Sequence, residues 1–457
     1  MDASVSERLV AFARHWIATG IPFDVMHEAK RLVLNQLKAS VGAYDHKTIN
    51  ILHDWAAETH VGSRPAHILW RGTKAAPAQA AVVNGALFEV LDFHDTYIPC
   101  FMHATSAVLP ALLAAAEVGG QCGKKVVEAL ALGMEIELAV AAILMPTGYY
   151  RGHVPAGLTG GVGAAAACAI LANLDDLQFR NALGIAMCTA FGDYVSVGSD
   201  ALSYITGATA RSGYTAYELA ARGLDAPRTA FEGDKGMFET HCDEKKDKIS
   251  SVLDSLGTTW RTLGQTYKVV PTETITHAPV ELTLKVLGRS LGRRVEKMTF
   301  GVEQIVVKIV KERLERFGIP TSDLTARFDL CFCAAAAWCR GRFTLEEMME
   351  PAYSDHKILN LRDRIELIAD PNRKTFEGAW LEVKFTDGTS ERANVDAFLG
   401  TPGNRISDQQ LSDIFCSAAR PMISEAKSHL IVAATMSLDK VTNIGELMSL
   451  LTVDAGH

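Results

Sequence analysis

Between Asp92 and His103 the chain gathers Asp92, His94, Asp95, Thr96, Tyr97 and His103: carboxylates, imidazoles, a hydroxyl and a phenol within twelve residues. General acid–base chemistry needs such groups held on rigid supports and aimed into a cavity. Imidazole suits it because its ordinary pKa lies near neutrality. The plainer reading is a helix cap with a solvated loop, for which Asp95 and Thr96 are ordinary residue types.

The flanking sequence must position this island. An apolar approach (Ala86, Leu87, Val90, Leu91) precedes it and a small-residue run from Ala107 to Ala116 follows. Pro99 disfavours an unbroken helix there. The pattern predicts a helix ending near Asp92, a short loop, and a second, buried helix from about Thr105. Helical spacing also predicts helices over 5–19, 23–43, 48–58, 75–90, 123–144, 160–171, 175–188 and 207–222. Residues 192–206, rich in Gly, Ser and Tyr, read as irregular.

After about Thr266 the texture changes. Helices are predicted over 277–291, 328–338 and 345–349. The β-branched run 295–310 and the segment 364–368 read as strands. Residues 378–395 read as a hairpin turning at Asp387-Gly388. Residues 407–451 return to helix. The expected fold is mostly α: a large all-helical domain from 1–265, completed by 400–457, with an α+β lid domain at 266–399.

Composition narrows the function class. The chain has 457 residues, 48% of them hydrophobic, and a formal net charge of −8. A large core is within reach, and no basic block points to nucleic acid. Nine cysteines are scattered, several of them (Cys168, Cys188, Cys331, Cys333) among apolar neighbours, as expected of buried free thiols in a reducing compartment. Cys331 and Cys333 lack the spacing of a zinc or redox pair. Met1 to Trp16 carries acids and no apolar run, so it does not read as a signal peptide. The chargeless stretch Val154 to Leu174 is too rich in Gly and Ala for a bilayer and reads as a buried helix. A soluble, cytoplasmic protein with no membrane partner is expected.

Several motifs follow one another in a set order. They are Asn84-Gly85, Leu91-Asp92-Phe93-His94-Asp95-Thr96 with His103, and Pro110-Ala111-Leu112-Leu113-Ala114. Gly133-x-Glu135 comes next, then His153 with Gly160 and Ala164-Ala165-Ala166, then Gly207-x-x-Ala210-x-x-Gly213. Phe231-Glu232-Gly233-x-x-Gly236, Lys268 with His277, and Ala326-Arg327-Phe328-Asp329-Leu330 complete the series. Over nearly the whole chain this order resembles the MmgE/PrpD family, which includes 2-methylcitrate dehydratase, cis-aconitate decarboxylase and iminodisuccinate epimerase.

The resemblance implies a homodimer with a helical domain built from both chain ends, a smaller lid, and a pocket between the domains. It implies no metal or organic cofactor. The implied chemistry is proton removal next to a carboxylate, followed by loss of water or CO2 or by reprotonation. Carried over by motif, His103 and His153 are the expected proton carriers and Asp92 an orienting group. Lys268 would clamp a substrate carboxylate, supported by His277, and Thr96 would contact substrate.

The departures bear on substrate. Where the family usually has a lysine and a histidine ahead of the Gly207 helix, this chain has Leu202 and Ile205. Its paired acids are His94-Asp95 here, and Ala139 stands where an arginine is usual. A substrate with fewer carboxylates than 2-methylcitrate, its apolar part on Leu202 and Ile205, is expected, with Tyr204, Arg151 or His94 as replacement polar contacts. A lyase of a small carboxylic acid is the leading reading. The alternatives are an isomerase or epimerase using the same carbanion, and a non-catalytic binder of a metabolite or a partner chain. A metal held by His94, His103 and His153 is a weaker idea, because these residues lie on separate segments without ligand spacing.

Overall fold

The computed structural model describes residues 3–59, 62–242 and 246–453. It divides into two compact units, Met1–Thr266 with Ser407–His457, and Tyr267–Ile406. The fold is mostly helical with a small mixed sheet, as the sequence predicts.

Five helices form the centre of the first unit: Pro77–Glu89, Ala104–Val118, Gly123–Leu144, Pro155–Leu171 and Asp200–Ala221. Their sequences are apolar or small on nearly every face, which requires burial on all sides. In Pro155–Leu171 every residue but Ile170 is buried. Small residues set how closely these helices approach. A Cβ on Gly207 would lie 2.1 Å from the Val82 carbonyl oxygen, so only glycine permits this crossing.

Asn84 pins a short hairpin to the same bundle. Its side chain accepts from the Leu69 N–H and donates to the His67 carbonyl, both at 2.9 Å. Ala66–Ile68 and Thr73–Ala75 pair antiparallel there. The C-terminal helices Asp408–Ala419 and Glu425–Met436 pack on Phe23–Val41. Ion pairs Arg31–Asp408 and Lys30–Asp439 tie the chain end to that helix.

The second unit holds a four-stranded sheet in the order Ile365–Ala369, Val295–Val302, Ala379–Phe385, Ser390–Val395. The first pair is parallel and the other two are antiparallel. The hairpin turns at Asp387-Gly388, with Gly388 at φ +83°.

Two expectations need correction. The run 295–310 is not one strand: it ends at Val302 and the helix Gln304–Phe317 follows. Val306, Ile309, Val310 and Arg313 are buried there at helical spacing, so burial on one helical face overrides the β-branched composition. Residues 192–206 are not irregular throughout, because the helix Asp200–Ala221 already includes Leu202, Tyr204 and Ile205. Among the described residues, no helix is long and apolar enough to cross a membrane.

Candidate active site

The polar island is folded by two sharp turns. The helix Pro77–Glu89 ends, the Asp92 N–H bonds back to the Glu89 carbonyl at 2.8 Å, and Asp92 adopts φ +50°. Aspartate tolerates this left-handed conformation better than most residues. A 3-10 turn at Ile98–Cys100 then reverses the chain, and His103 becomes the N-cap residue of Ala104–Val118. Asp95 and Thr96 therefore cap no helix, and both are buried.

Thr96 is held by a two-way backbone pair with Thr266, at 2.9 and 2.8 Å. Glu135 anchors the approach to Thr266. Its carboxylate accepts from Arg261, from the Thr262 N–H and from the Thr262 hydroxyl, each at 3.1 Å. The Gly133-x-Glu135 motif thus acts through positioning: a buried ion pair fixes the turn Arg261–Gly264, and that turn delivers the backbone against which Thr96 lies.

Two imidazoles meet in the island. The rings of His94 and His103 are 4.1 Å apart, edge to face. His103 Nδ1 lies 2.9 Å from the Asp95 carbonyl and 3.2 Å from the Thr96 hydroxyl. A carbonyl only accepts, so Nδ1 carries the proton, and Nε2 holds the lone pair of the neutral ring. His94, fully buried, likewise turns Nδ1 to the Phe88 carbonyl at 3.2 Å. Its Nε2 is 3.6 Å from Asp92 and 3.7 Å from Glu89. Asp92 lies beside His94, and the Asp95 main chain and the Thr96 hydroxyl hold His103 Nδ1.

Beneath the island lies a buried polar layer. The Asp95 carboxylate accepts from Gln36 at 2.7 Å and from the Thr105 hydroxyl at 2.9 Å. Burial pushes the Asp95 carboxyl up, against the pull of these hydrogen bonds and the Lys38 charge. Lys38 is itself buried, its ammonium 3.8 Å above the Phe93 ring. Glu137 is buried alongside. Desolvation first, and the Asp95 charge second, push it well above the ordinary carboxylate range, while Thr159 donates to it at 3.5 Å.

Residues 7–250 match the MmgE/PrpD N-terminal domain and residues 270–439 the MmgE/PrpD C-terminal domain. The chain belongs to the MmgE/PrpD family. Human cis-aconitate decarboxylase is 24% identical over 469 residues, which span 99% of this chain and 95% of the human protein. Cis-aconitate decarboxylase of Aspergillus terreus is 24% identical over 489 residues, spanning 98% of this chain and 97% of that one. A cis-aconitate decarboxylase-like protein of Aspergillus oryzae is 23% identical over 491 residues, with 99% and 98% spanned.

The other residues singled out by the MmgE/PrpD motifs each have local contacts of their own. His153 keeps different company from His103: its Nδ1 is 3.9 Å from the Asp193 carboxylate, and its ring is 5.1 Å from that of His241. Burial lowers the His241 pKa, and the charges of His153 and Arg151 lower it further. The backbone around His153 pairs with 192–194: Val154 N–H to the Gly192 carbonyl at 3.0 Å, Tyr194 N–H to the Gly152 carbonyl at 2.7 Å. Ile205 packs against Gly192, where an added Cβ would meet it at 3.0 Å. Leu202 is half-buried and Tyr204 is exposed. Lys268 and His277 belong to the second unit and are buried there. His277 Nδ1 contacts the Glu273 carbonyl at 3.2 Å, and its ring lies 5.0 Å from Phe398.

Glu89, His94 and His103 each present a ligand-type atom, all within 4.8 Å of one another. In this grouping His94 and His103 are joined by Glu89, whereas the weaker metal idea named His153 beside them. The sequence reading missed Glu89, Gln36, Lys38 and His241. The run Asn35-Gln36-Leu37-Lys38, polar within an otherwise apolar helix, was the available signal.

Proposed function

We propose that this MmgE/PrpD-type lyase of a small carboxylic acid removes CO2 from its substrate. His103 Nε2 supplies the proton that takes the place of the departing carboxylate. The observation that carries the reading is the tether of His103 Nδ1 to the Asp95 carbonyl, which assigns the moving proton to Nε2. In the reaction the C–C bond to the leaving carboxylate breaks and CO2 departs. The electron pair remains on carbon, delocalised into the adjacent conjugated system, and the imidazolium Nε2–H protonates it. Solvent then returns the proton to the ring. No organic cofactor is needed for this balance. The names of the curated relatives favour loss of CO2 over loss of water.

Leu202 and Ile205 support a substrate with fewer carboxylates than a tricarboxylate, because neither can meet a charge. Incubation with cis-aconitate and with mono- and dicarboxylate analogues in D2O, followed by NMR and CO2 detection, tests the reading. One deuteron incorporated per CO2 released is expected. Release of water, or exchange at carbon with no release, would replace decarboxylation by dehydration or epimerisation.

The assembly we propose is a homodimer in the cytoplasm. All nine cysteines are free, in keeping with a reducing compartment; Cys168, Cys331 and Cys333 are buried as expected, whereas Cys188 is exposed. Tyr150 and Val195, 59% and 74% exposed, flank the Gly152–Tyr194 backbone pair as an uncovered apolar surface. Light scattering at micromolar concentration should give twice the chain mass; a monomer would end this part of the reading.

A further inference from the structure

We propose that a basic cavity in the second unit, walled by Arg294, Trp338, Lys357 and Arg364, binds a phosphorylated ligand with a planar aromatic head, of the nucleoside di- or triphosphate class. Three elements form it: the residues entering the strand Val295–Val302, the last turn of the helix Leu330–Arg340, and the helix His356–Arg362 with Arg364 just beyond it. It measures about 440 Å³, within the range of about 300–1,000 Å³ that holds small organic ligands. His356 and Asn360 complete its polar rim.

The positive charge of this cavity is not cancelled by its neighbours. Arg293 pairs with Asp387 at 3.5 Å and with Glu391 at 3.7 Å, and Arg340 pairs with Asp355 at 2.8 Å. Asp363 lies 3.3 Å from Arg362. Among the described residues, Arg294, Lys357 and Arg364 form no ion pair, so three cations line one cavity in a chain whose net charge is −8. Their fields converge on the cavity wall. Burial, and then the Asp355 charge, raise the pKa of the Cys339 thiol there, while Arg340, Arg364 and Lys357 pull it back. Like charges gathered in this way repel one another and gain from a multivalent anion.

Arg364 is set to receive a phosphate. Its Nε donates to the Asn360 carbonyl at 3.1 Å and its Nη1 to the Val295 carbonyl at 2.6 Å. Two N–H donors of the guanidinium are thus spent on fixing it, and the rest of the fork remains for an anion. Lys357 is held by its main chain instead. Its backbone N–H donates to Asp355 at 2.8 Å at the start of the helix, which leaves the ammonium as a point charge on a long stem. An arginine fork beside a lysine point charge suits the several oxygens of a phosphate chain.

Trp338 supplies the wall for the aromatic head. It is half-buried, and its ring lies 6.3 Å from that of Phe385, which carries the Arg293 guanidinium 3.7 Å from its centre. Arg293 therefore braces the aromatic wall, in addition to its ion pairs. Val295 and Leu361, both buried, back the same cavity with apolar surface. Every nucleobase has a π-face, so a half-exposed indole among cations favours a nucleotide over a bare polyphosphate. The site rests on neither the proposed reaction nor the proposed dimer.

The test is isothermal titration of the full chain with ADP, with inorganic pyrophosphate and citrate as comparisons. Each chain should take up one ADP. Lys357→Gln and Arg364→Gln should each weaken its binding about tenfold or more, the loss expected of a charge-assisted hydrogen bond. Both side chains are exposed, so the far-UV circular dichroism should not change. Should Arg364→Gln unfold, Lys357→Gln decides alone. Lys311→Gln removes an exposed lysine of the same unit, paired with Glu315, and should leave the affinity as it was. Trp338→Leu should weaken ADP but not pyrophosphate. Should that variant unfold, the wild type decides the aromatic part: ADP should bind at least about fivefold tighter than pyrophosphate. No ADP binding at millimolar concentration, or an affinity indifferent to Lys357→Gln and Arg364→Gln, overturns the site. Equal weakening by Lys311→Gln and Lys357→Gln overturns it as well, in favour of diffuse surface charge. Pyrophosphate binding as tightly as ADP overturns the nucleotide assignment. Citrate displacing ADP at equal concentration overturns the choice of phosphate over carboxylate.

Discussion

The Asp95 carbonyl accepts the Nδ1 proton of His103 at 2.9 Å, eight residues away in sequence. This one bond assigns the two ring nitrogens different tasks. It also makes the Asp95 backbone an orienting group of the candidate proton carrier, beside the Thr96 hydroxyl at 3.2 Å. Its consequences can be measured.

Replacing His103 with glutamine keeps a polar side chain of similar reach and removes the proton carrier. The expected outcome is a loss of about 10²–10⁴ in kcat, with carboxylate affinity by calorimetry changed only slightly, because a proton carrier acts mainly in the transition state. An equal loss in affinity would make His103 a binding residue instead.

Asp95→Asn probes the layer beneath. The carboxylate accepts from Gln36 at 2.7 Å and from Thr105 at 2.9 Å. An amide there turns one acceptor into a donor facing donors. A destabilisation of about 1–3 kcal/mol is expected by urea denaturation. The displaced backbone should also lower kcat and shift the pH–rate profile of His103 while leaving KM near its original value. Lost stability with an unmoved pH profile would mean that Asp95 supports the fold but not the ring.

The buried pair Glu135–Arg261 offers a separate check on how Thr96 is placed. Arg261→Met strands a carboxylate that is fully buried. The single variant should lose about 3–5 kcal/mol, and the double variant with Glu135→Gln should recover part of it. Additive losses in the double-mutant cycle would show that the two side chains are not energetically coupled.

How much of this was legible in the sequence depends on the kind of contact. The Asp92–Thr96 island stands out because it interrupts two apolar runs. The meeting of His94 with His103 does not, since nine residues match no helix or strand period. It is made by the left-handed turn at Asp92 and the turn at Ile98–Cys100. Glu89 and Lys38 look like ordinary helix-surface charges, and only the packing of other helices around them puts them inside. The segment 304–310 misleads for the opposite reason: its β-branched residues suggest a strand, yet a helical face is what gets buried. Local pattern thus identifies elements and polar islands, while burial of charge is decided by packing between elements.

That packing carries a last prediction, about pH. Glu137 is fully buried on Gly123–Leu144, against Gly163, where a Cβ would come within 2.5 Å of its carboxyl oxygen. Desolvation, and then the charge of Asp95, push its pKa well above the usual value. The unfolded glutamate titrates near about 4.3. Between that value and the raised folded one, the folded chain holds a proton that the unfolded chain has released. Stability must then fall as pH rises through this window, by about 1.4 kcal/mol per pH unit. Asp95, raised in the same direction, adds a slope of the same sign. Glu137→Gln keeps the shape and a hydrogen-bonding group for Thr159 but removes the titration, so its stability should fall less steeply from pH 5 upward. Urea denaturation across that range measures both slopes. Parallel slopes for the wild type and Glu137→Gln would mean that the carboxyl is ionised in the folded protein after all, with a compensating cation beside it.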